Sequence, residues 1–333
     1  MSRSGRSWRR ASTVGLVVLL LVDIALVALS LRSRGASDAG VALVVAPPAT
    51  AAGTASVEVA ASPTRPTATA TATATAKATP TATREAVVPV PVTVMVSAVD
   101  ADVAWRVRSG ACGGSADPAV VERTQDGGRT WRAVDVPSPV VVRVRATSAT
   151  KAFVVAAVSA ADGCDASYRS TTDARTWTAP SRPHNAWYRS PSDPQRVGLP
   201  NGSTARPCGS SEVIDLLPDG QRRAAALCSD ERVVATTDTG RSWQRVASAP
   251  GAVALAQRPG ASGYVVAALQ RQGCDGVAVM TVASSPSRLG CVDGATAAPG
   301  GVAVASAAGS LRLLTGTTVQ VSSDGGRTFA RRS

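Results

Sequence analysis

The residues best placed to hold an anion are Arg143 and Arg145, which alternate with valines in Val140-Val-Val-Arg-Val-Arg-Ala146. Alternation puts both guanidiniums on one face of a strand. A second group is Trp187-Tyr188-Arg189, followed at Arg196 by another arginine. Aromatics and arginines on a long loop are what binding surfaces are made of; Trp187 and Tyr188 equally suit the core of a strand. Catalytic chemistry finds less to work with. His184 is the sole histidine, which excludes a multi-histidine metal site and leaves a Ser–His–Asp arrangement resting on one residue. There is no G-x-S-x-G, P-loop or EF-hand loop. Asp162-Gly-Cys-Asp165 reads as a turn, because it lacks the further oxygen ligands calcium needs. No catalytic residue, metal or cofactor is expected.

The element that must position these residues is written in a repeat. Four segments read Thr124-Gln-Asp126-Gly-Gly128-Arg-Thr130-Trp131, Thr171-Thr-Asp173-Ala-Arg-Thr176-Trp177, Thr236-Thr-Asp238-Thr-Gly240-Arg-Ser242-Trp243 and Ser322-Ser-Asp324-Gly-Gly326-Arg-Thr328-Phe329. Three follow a β-rich run, so each box sits in a hairpin turn between strands. Its aspartate can accept N–H groups of its own turn, its glycine can take a positive φ, and its aromatic can pack between neighbouring units. The second copy is one residue shorter and lacks the glycine, so a differently shaped turn is expected there.

The pattern resembles the Asp box of the BNR repeats in sialidase-like β-propellers. That resemblance implies an all-β propeller in which the boxes are structural. Asp126 and Asp173 stand 47 residues apart, and Asp238 and Asp324 stand 86 apart, two steps of 43. Each step suits one four-stranded blade of about 40–50 residues. A blade without a box is expected near 263–292. The interval from Asp173 to Asp238 is 65 residues, and its excess at about 183–211 is either a long loop or a degenerate blade. Five blades are clear, with room for a sixth.

For a sialidase the resemblance also implies three arginines on a sialic-acid carboxylate, a Tyr–Glu nucleophile pair and an acid Asp. No R-I-P-like segment precedes the first box; Arg106 and Arg108 there lie in a plain strand pattern. Box-bearing propellers are similar as well to the photosystem II assembly-factor family, which implies partner binding without catalysis.

All six cysteines fall after residue 88, and an even count in an exported domain reads as disulfides. No two are closer than 17 residues, too far for C-x-x-C redox or zinc-ribbon chemistry. Cys112 and Cys164 occupy equivalent loops of adjacent blades and could meet. Cys208–Cys228 and Cys274–Cys291 would each staple one local unit.

Upstream, residues 1–12 are basic and 13–31 form an apolar run close to the length of a membrane-spanning helix. Arginines before the run place the N-terminus in the cytoplasm and the remainder outside. An uncleaved signal anchor is expected; the rival is a signal peptide cleaved at Ala28-Leu29-Ser30. Asp23 interrupts the run. Residues 32–88 are rich in Ala, Thr and Pro, a disordered stalk by composition, leaving 89–333 for the propeller. The formal charge of +12 comes from scattered arginines, with Lys77 and Lys151 the two lysines; without a basic run, nucleic acid is not an expected partner. The expected function is a membrane-anchored, non-catalytic binding or assembly module for a protein or an envelope glycan, with a degenerate glycoside hydrolase as runner-up.

Overall fold

A computed structural model describes residues 87–112, 117–157 and 164–331. The basic N-terminus, the apolar run and the stalk lie outside the described residues, except for residues 87 and 88. Among the described residues no helix is long and apolar enough to cross a membrane.

Every regular element described is a strand, and each sheet is built from one contiguous stretch of chain. Blade 1 holds β1 (Val94–Ala98), β2 (Ala104–Arg108), β3 (Val120–Thr124) and β4 (Arg132–Val134). Blade 2 holds β5 (Val140–Ala146), β6 (Ala152–Ala157) and β7 (Ala166–Thr171). Blade 3 holds β8 (Tyr188–Arg189), β9 (Val197–Gly198) and β10 (Thr204–Ala205). Blade 4 runs β11 (Val213–Asp219), β12 (Arg223–Cys228), β13 (Arg232–Thr236), β14 (Gln244–Ser248). Blade 5 runs β15 (Ala252–Gln257), β16 (Tyr264–Leu269), β17 (Gly276–Val282), β18 (Arg288–Asp293). Blade 6 runs β19 (Val302–Ala307), β20 (Ser310–Thr315), β21 (Thr318–Ser322), β22 (Ala330–Arg331). All pairings are antiparallel between sequence neighbours. The inner strands β1, β5, β8, β11, β15 and β19 meet in succession around one axis, and β19 returns to β1. This is a six-bladed β-propeller.

Two details correct the expectation of five or six four-stranded blades. The stretch at 183–211 is a blade, reduced to three strands of two residues each. Blade 2 keeps three strands, and a single bridge between Tyr168 and Ser181 stands where a fourth would run. The short strands at 183–211 follow from a Pro-, Gly- and Ser-rich composition with few β-branched residues, and Pro180 and Pro183 interrupt the ladder where the fourth strand of blade 2 would run. Two blades lack a box: blade 3, and blade 5, where the spacing implied a blade without one.

The core lies between blades. Aliphatic clusters join blades 1 and 2 through Val107, Val121, Val141 and Val154, blades 4 and 5 through Ile214, Leu227, Leu255 and Val266, and blades 5 and 6 through Val265, Val279, Leu311 and Leu313. Valine and alanine can fill these seams because facing sheets interdigitate over short distances.

Among the described residues no strand is exchanged between the first and last blades, and side chains and turns close the ring. Arg312, fully buried in blade 6, donates through Nη2 to the carbonyls of Asp100 and Ala101 in blade 1, at 2.8 and 2.6 Å. Arg106 of blade 1 donates to the Thr317 carbonyl of blade 6. The three disulfides are Cys112–Cys164, Cys208–Cys228 and Cys274–Cys291. The first ties blade 1 to blade 2, and the other two act within or beside a single blade.

Candidate ligand site in the central channel

The inner strands enclose a cavity of about 560 Å³. Strands β5, β11 and β15 each carry a bulge near their start, with Val142, Ile214 and Val253 as the extra residues. A bulge re-aims the residues that follow it. Beyond the first of them, Arg143 and Arg145 line the cavity; beyond the second, Asp215 does.

The segment leading into β1 crosses one end of this channel. Val92 N–H donates to the Ile214 carbonyl at 2.9 Å, and Ile214 belongs to blade 4, opposite blade 1 in a ring of six. The Val92 carbonyl accepts from Arg189 Nη2 of blade 3. Thr93 N–H and Oγ1 both donate to Gly300 O beside blade 6, at 2.8 and 3.0 Å. Residues 92 and 93 thus floor the channel where the inner strands begin. At the other end, Arg145, Thr147 and Gly220 are exposed, so the mouth lies there.

Charge in the channel is unevenly balanced. Asp215 Oδ1 accepts Leu216 N–H and Oδ2 accepts Leu255 N–H, each at 2.8 Å. Burial nevertheless pushes its carboxyl above the usual range, with those N–H groups and Arg189 opposing the shift. Burial in turn pulls the Arg189 guanidinium down, partly offset by Asp215. Asp219, at the mouth end of β11, pairs with Arg223 at 2.8 Å. Arg143 donates one N–H to the Trp187 carbonyl and lies 5.3 Å from the Phe153 ring centroid. Burial, and then the Arg145 charge, pull Arg143 down to about 9, still protonated at neutral pH. Arg145 makes no hydrogen bond or ion pair among the described residues. Asp215 is offset electrostatically by Arg189 and Asp219 is paired with Arg223, which leaves Arg143 inside the channel and Arg145 at its exposed mouth without a carboxylate partner among the described residues.

No protein-family model matches this chain, and no curated protein matches it. Among solved structures, YCF48 bound to a D1 peptide is 16% identical, with a TM-score of 0.27 over 74% of this chain and 68% of the other. A lectin from Aleuria aurantia in complex with Fucalpha1-6GlcNAc is 10% identical, with a TM-score of 0.44 over 72% and 94%. The Penicillium chrysogenum alpha-L-arabinanase complexed with arabinobiose is 13% identical, with a TM-score of 0.33 over 74% and 82%. Likenesses this distant add nothing to the fold that the strand order already shows, and they assign no ligand.

Of the residues singled out in the sequence, Arg143, Arg145, Trp187, Tyr188 and Arg189 all line this central cavity. Trp187 does so mainly as core: it is 1% exposed, donates from Nε1 to Gly220 O at 3.0 Å, and meets Trp243 edge-on at 6.0 Å. Tyr188 is half-buried over Gly198, where a Cβ would fall 2.0 Å from its ring. Arg196 stands apart, paired outside the channel with Asp193 at 2.9 Å. Two contributors escaped the sequence reading. Asp215 carried a usable signal, a lone acid inside Val213-Ile-Asp-Leu-Leu. Val92 carried none, because its part depends on where blade 4 lies.

The boxes sit at the outer edge of their blades, between third and fourth strands or the equivalent positions. In each, a buried hydroxyl (Thr124, Thr171, Thr236 or Ser322) donates to the aspartate Oδ1 at 2.7–3.0 Å. The same hydroxyl accepts the N–H of Gly128, Ala174, Gly240 or Gly326. The aspartate then accepts the N–H of Thr130, Thr176, Ser242 or Thr328. Asp126, Asp238 and Asp324 are held far below the usual carboxylate range, chiefly by the hydroxyls of Thr130, Ser242 and Thr328 and then by those N–H groups, and Asp173 chiefly by the N–H groups of Thr176 and Arg175. Where the second box lacks glycine, Ala174 takes the left-handed conformation at φ 57°. The closing aromatics differ in reach. Trp177 Nε1 donates to Asp135 O of blade 1 at 2.8 Å, Trp243 and Phe329 pack into inter-blade clusters, and Trp131 stays under Arg106, 4.3 Å from its ring centroid.

Proposed function

We propose that this propeller is a non-catalytic binding module that takes a group of a protein or an envelope glycan into its one-mouthed central channel. The observation that carries the reading is the pair Arg143 and Arg145, like charges running from the mouth into the channel without a carboxylate partner among the described residues. Like charges so placed cost stability unless an anion joins them, and planar guanidiniums suit bidentate capture of one. The self-satisfied turns support reading the four repeats as structural Asp boxes rather than ligand sites.

Glycoside hydrolysis is the weaker reading. A carboxyl pair must flank the scissile bond at about 5–9.5 Å. The two carboxylates of the channel, Asp215 and Asp219, lie on one strand, four residues and roughly 13 Å apart at the backbone. Both are already engaged. The channel does gather three arginines and Tyr188, but no glutamate is among the residues lining it, so a Tyr–Glu nucleophile is not assembled.

We further propose that 13–31 anchors the chain with its N-terminus cytoplasmic and that 32–88 carries the propeller away from the membrane; three disulfides suit an oxidising compartment. An impermeant thiol reagent should label Thr75→Cys on intact cells and leave Ser4→Cys untouched. The binding reading is tested with panels of acidic oligosaccharides and peptides against wild type and Ser306→Trp, which crowds the mouth. Loss of binding in the folded variant is expected. Turnover of a sialoside or arabinan that Asp215→Asn abolishes would overturn it.

A further inference from the structure

We infer that the channel receives the free C-terminus of a polypeptide ending in an aliphatic residue. This deepens, and rests on, the reading of the channel as the ligand site.

Shape comes first. With Val92 and Thr93 bonded across to blades 3, 4 and 6, the channel is blind. An open channel could be threaded by the middle of a chain, whereas a blind one reached from a single mouth accommodates a chain end. A volume of about 560 Å³ falls within the roughly 300–1,000 Å³ of small-ligand clefts, room for a few residues and not for a folded element.

Charge selects which end. A terminal ammonium would meet Arg143 and Arg145, and the two carboxylates that could attract it are occupied: Asp215 by Leu216 and Leu255 N–H, Asp219 by Arg223. A terminal carboxylate supplies the missing counter-charge and presents two oxygens to planar donors. Arg145 stands toward the mouth and Arg143 further in, so a carboxylate is attracted on entry and held beyond it.

The walls select what accompanies the carboxylate. Met95, Val96, Val142, Leu216 and Leu217 are among the partly exposed aliphatic lining residues, beside polar Ser97, Gln257 and Ser306. A sugar ring would be better served by an accessible flat aromatic face, and Trp187 is committed edge-on to Trp243. Branched aliphatic side chains gain most from such walls.

The test uses the full chain and fluorescence anisotropy of N-terminally labelled tetrapeptides ending in Ala-Leu or Ala-Val, each as free acid and as C-terminal amide. Free acids should bind, amides should bind about tenfold more weakly or worse, and Arg145→Met should weaken the free acids by a similar factor at unchanged melting temperature. Arg145→Lys should recover part of the loss. Equal binding of acid and amide, no binding of any free acid to folded protein, or indifference to Arg145→Met would each overturn the inference. Sialyllactose and oligogalacturonate form a parallel arm. If they bind through Arg145 while the peptides do not, the C-terminus is the wrong ligand and the channel stands; if no binding responds to Arg145→Met, both readings fall.

Discussion

The outer turns and the central channel use the same charged residue types and leave them in opposite states. At the rim, each box aspartate has its oxygens filled by hydroxyl and N–H donors from its own turn, and its carboxyl is held low. In the channel, Asp215 is held high by burial, while two arginines face each other's charge without a counter-ion. The rim is electrostatically complete within eight residues of chain. On the proposed reading, a bound anion completes the channel. A saturated polar cluster stabilises a fold, whereas an unsaturated one costs stability.

Trp187 spans the two regions, touching the rim aromatic Trp243 and forming part of the channel wall. Trp187→Ala should give the largest loss of stability, about 3–5 kcal/mol by urea denaturation, through lost packing and a residual cavity. A loss below about 1 kcal/mol would show that blade 3 does not depend on this contact. A smaller effect is expected inside one turn. Thr236→Val removes the hydroxyl that serves both Asp238 and the Gly240 N–H, leaving a buried donor unpaired at about 1–3 kcal/mol. An unchanged urea midpoint would break the claim that the rim is held by its own hydrogen bonds.

The pH dependence should separate the regions by sign. The box carboxyls have lowered values in the fold, so their contribution is present above the unfolded value of about 3.9 and is lost as pH falls below it. Asp215 is raised in the fold, so its contribution runs the other way, and stability declines as pH rises from about 3.9 through its folded value. Unfolding midpoints measured from pH 2 to 7 should show a shallower acid loss for Asp238→Asn. Asp215→Asn should leave the acid loss in place and remove the opposing trend above it. Identical profiles for wild type and Asp238→Asn would count against the rim assignment.

The smallest effect is expected where the channel is least finished. Arg145→Met breaks no hydrogen bond and removes a like charge from beside Arg143, so stability should stay within about 0.5 kcal/mol of wild type or rise slightly. A marked loss would mean that Arg145 is structurally engaged.

The propeller was legible because a repeated turn leaves a repeated signature: Asp, a left-handed residue and an aromatic recur wherever the chain must reverse at an outer edge. The disulfides were legible for the same reason, since the repeat places Cys112 and Cys164 in corresponding loops. Blade 3 was half-legible. Its length said that something stood between the second and third boxes, yet two-residue strands leave no periodicity in the sequence.

The sequence by itself determined the local chemistry: where turns form, which hydroxyl caps which aspartate, and that Arg143 and Arg145 share a strand face. Such features depend on residues within about eight positions, and spacing along the chain records them. Only the tertiary structure decided that Tyr188, Arg189 and Asp215 face those arginines from other blades, that Arg196 does not, and that Val92 closes one end. Those placements follow from the angles at which six blades close into a ring. Closure brings together residues as far apart as Val92 and Ile214, whose separation along the chain carries no trace of the meeting.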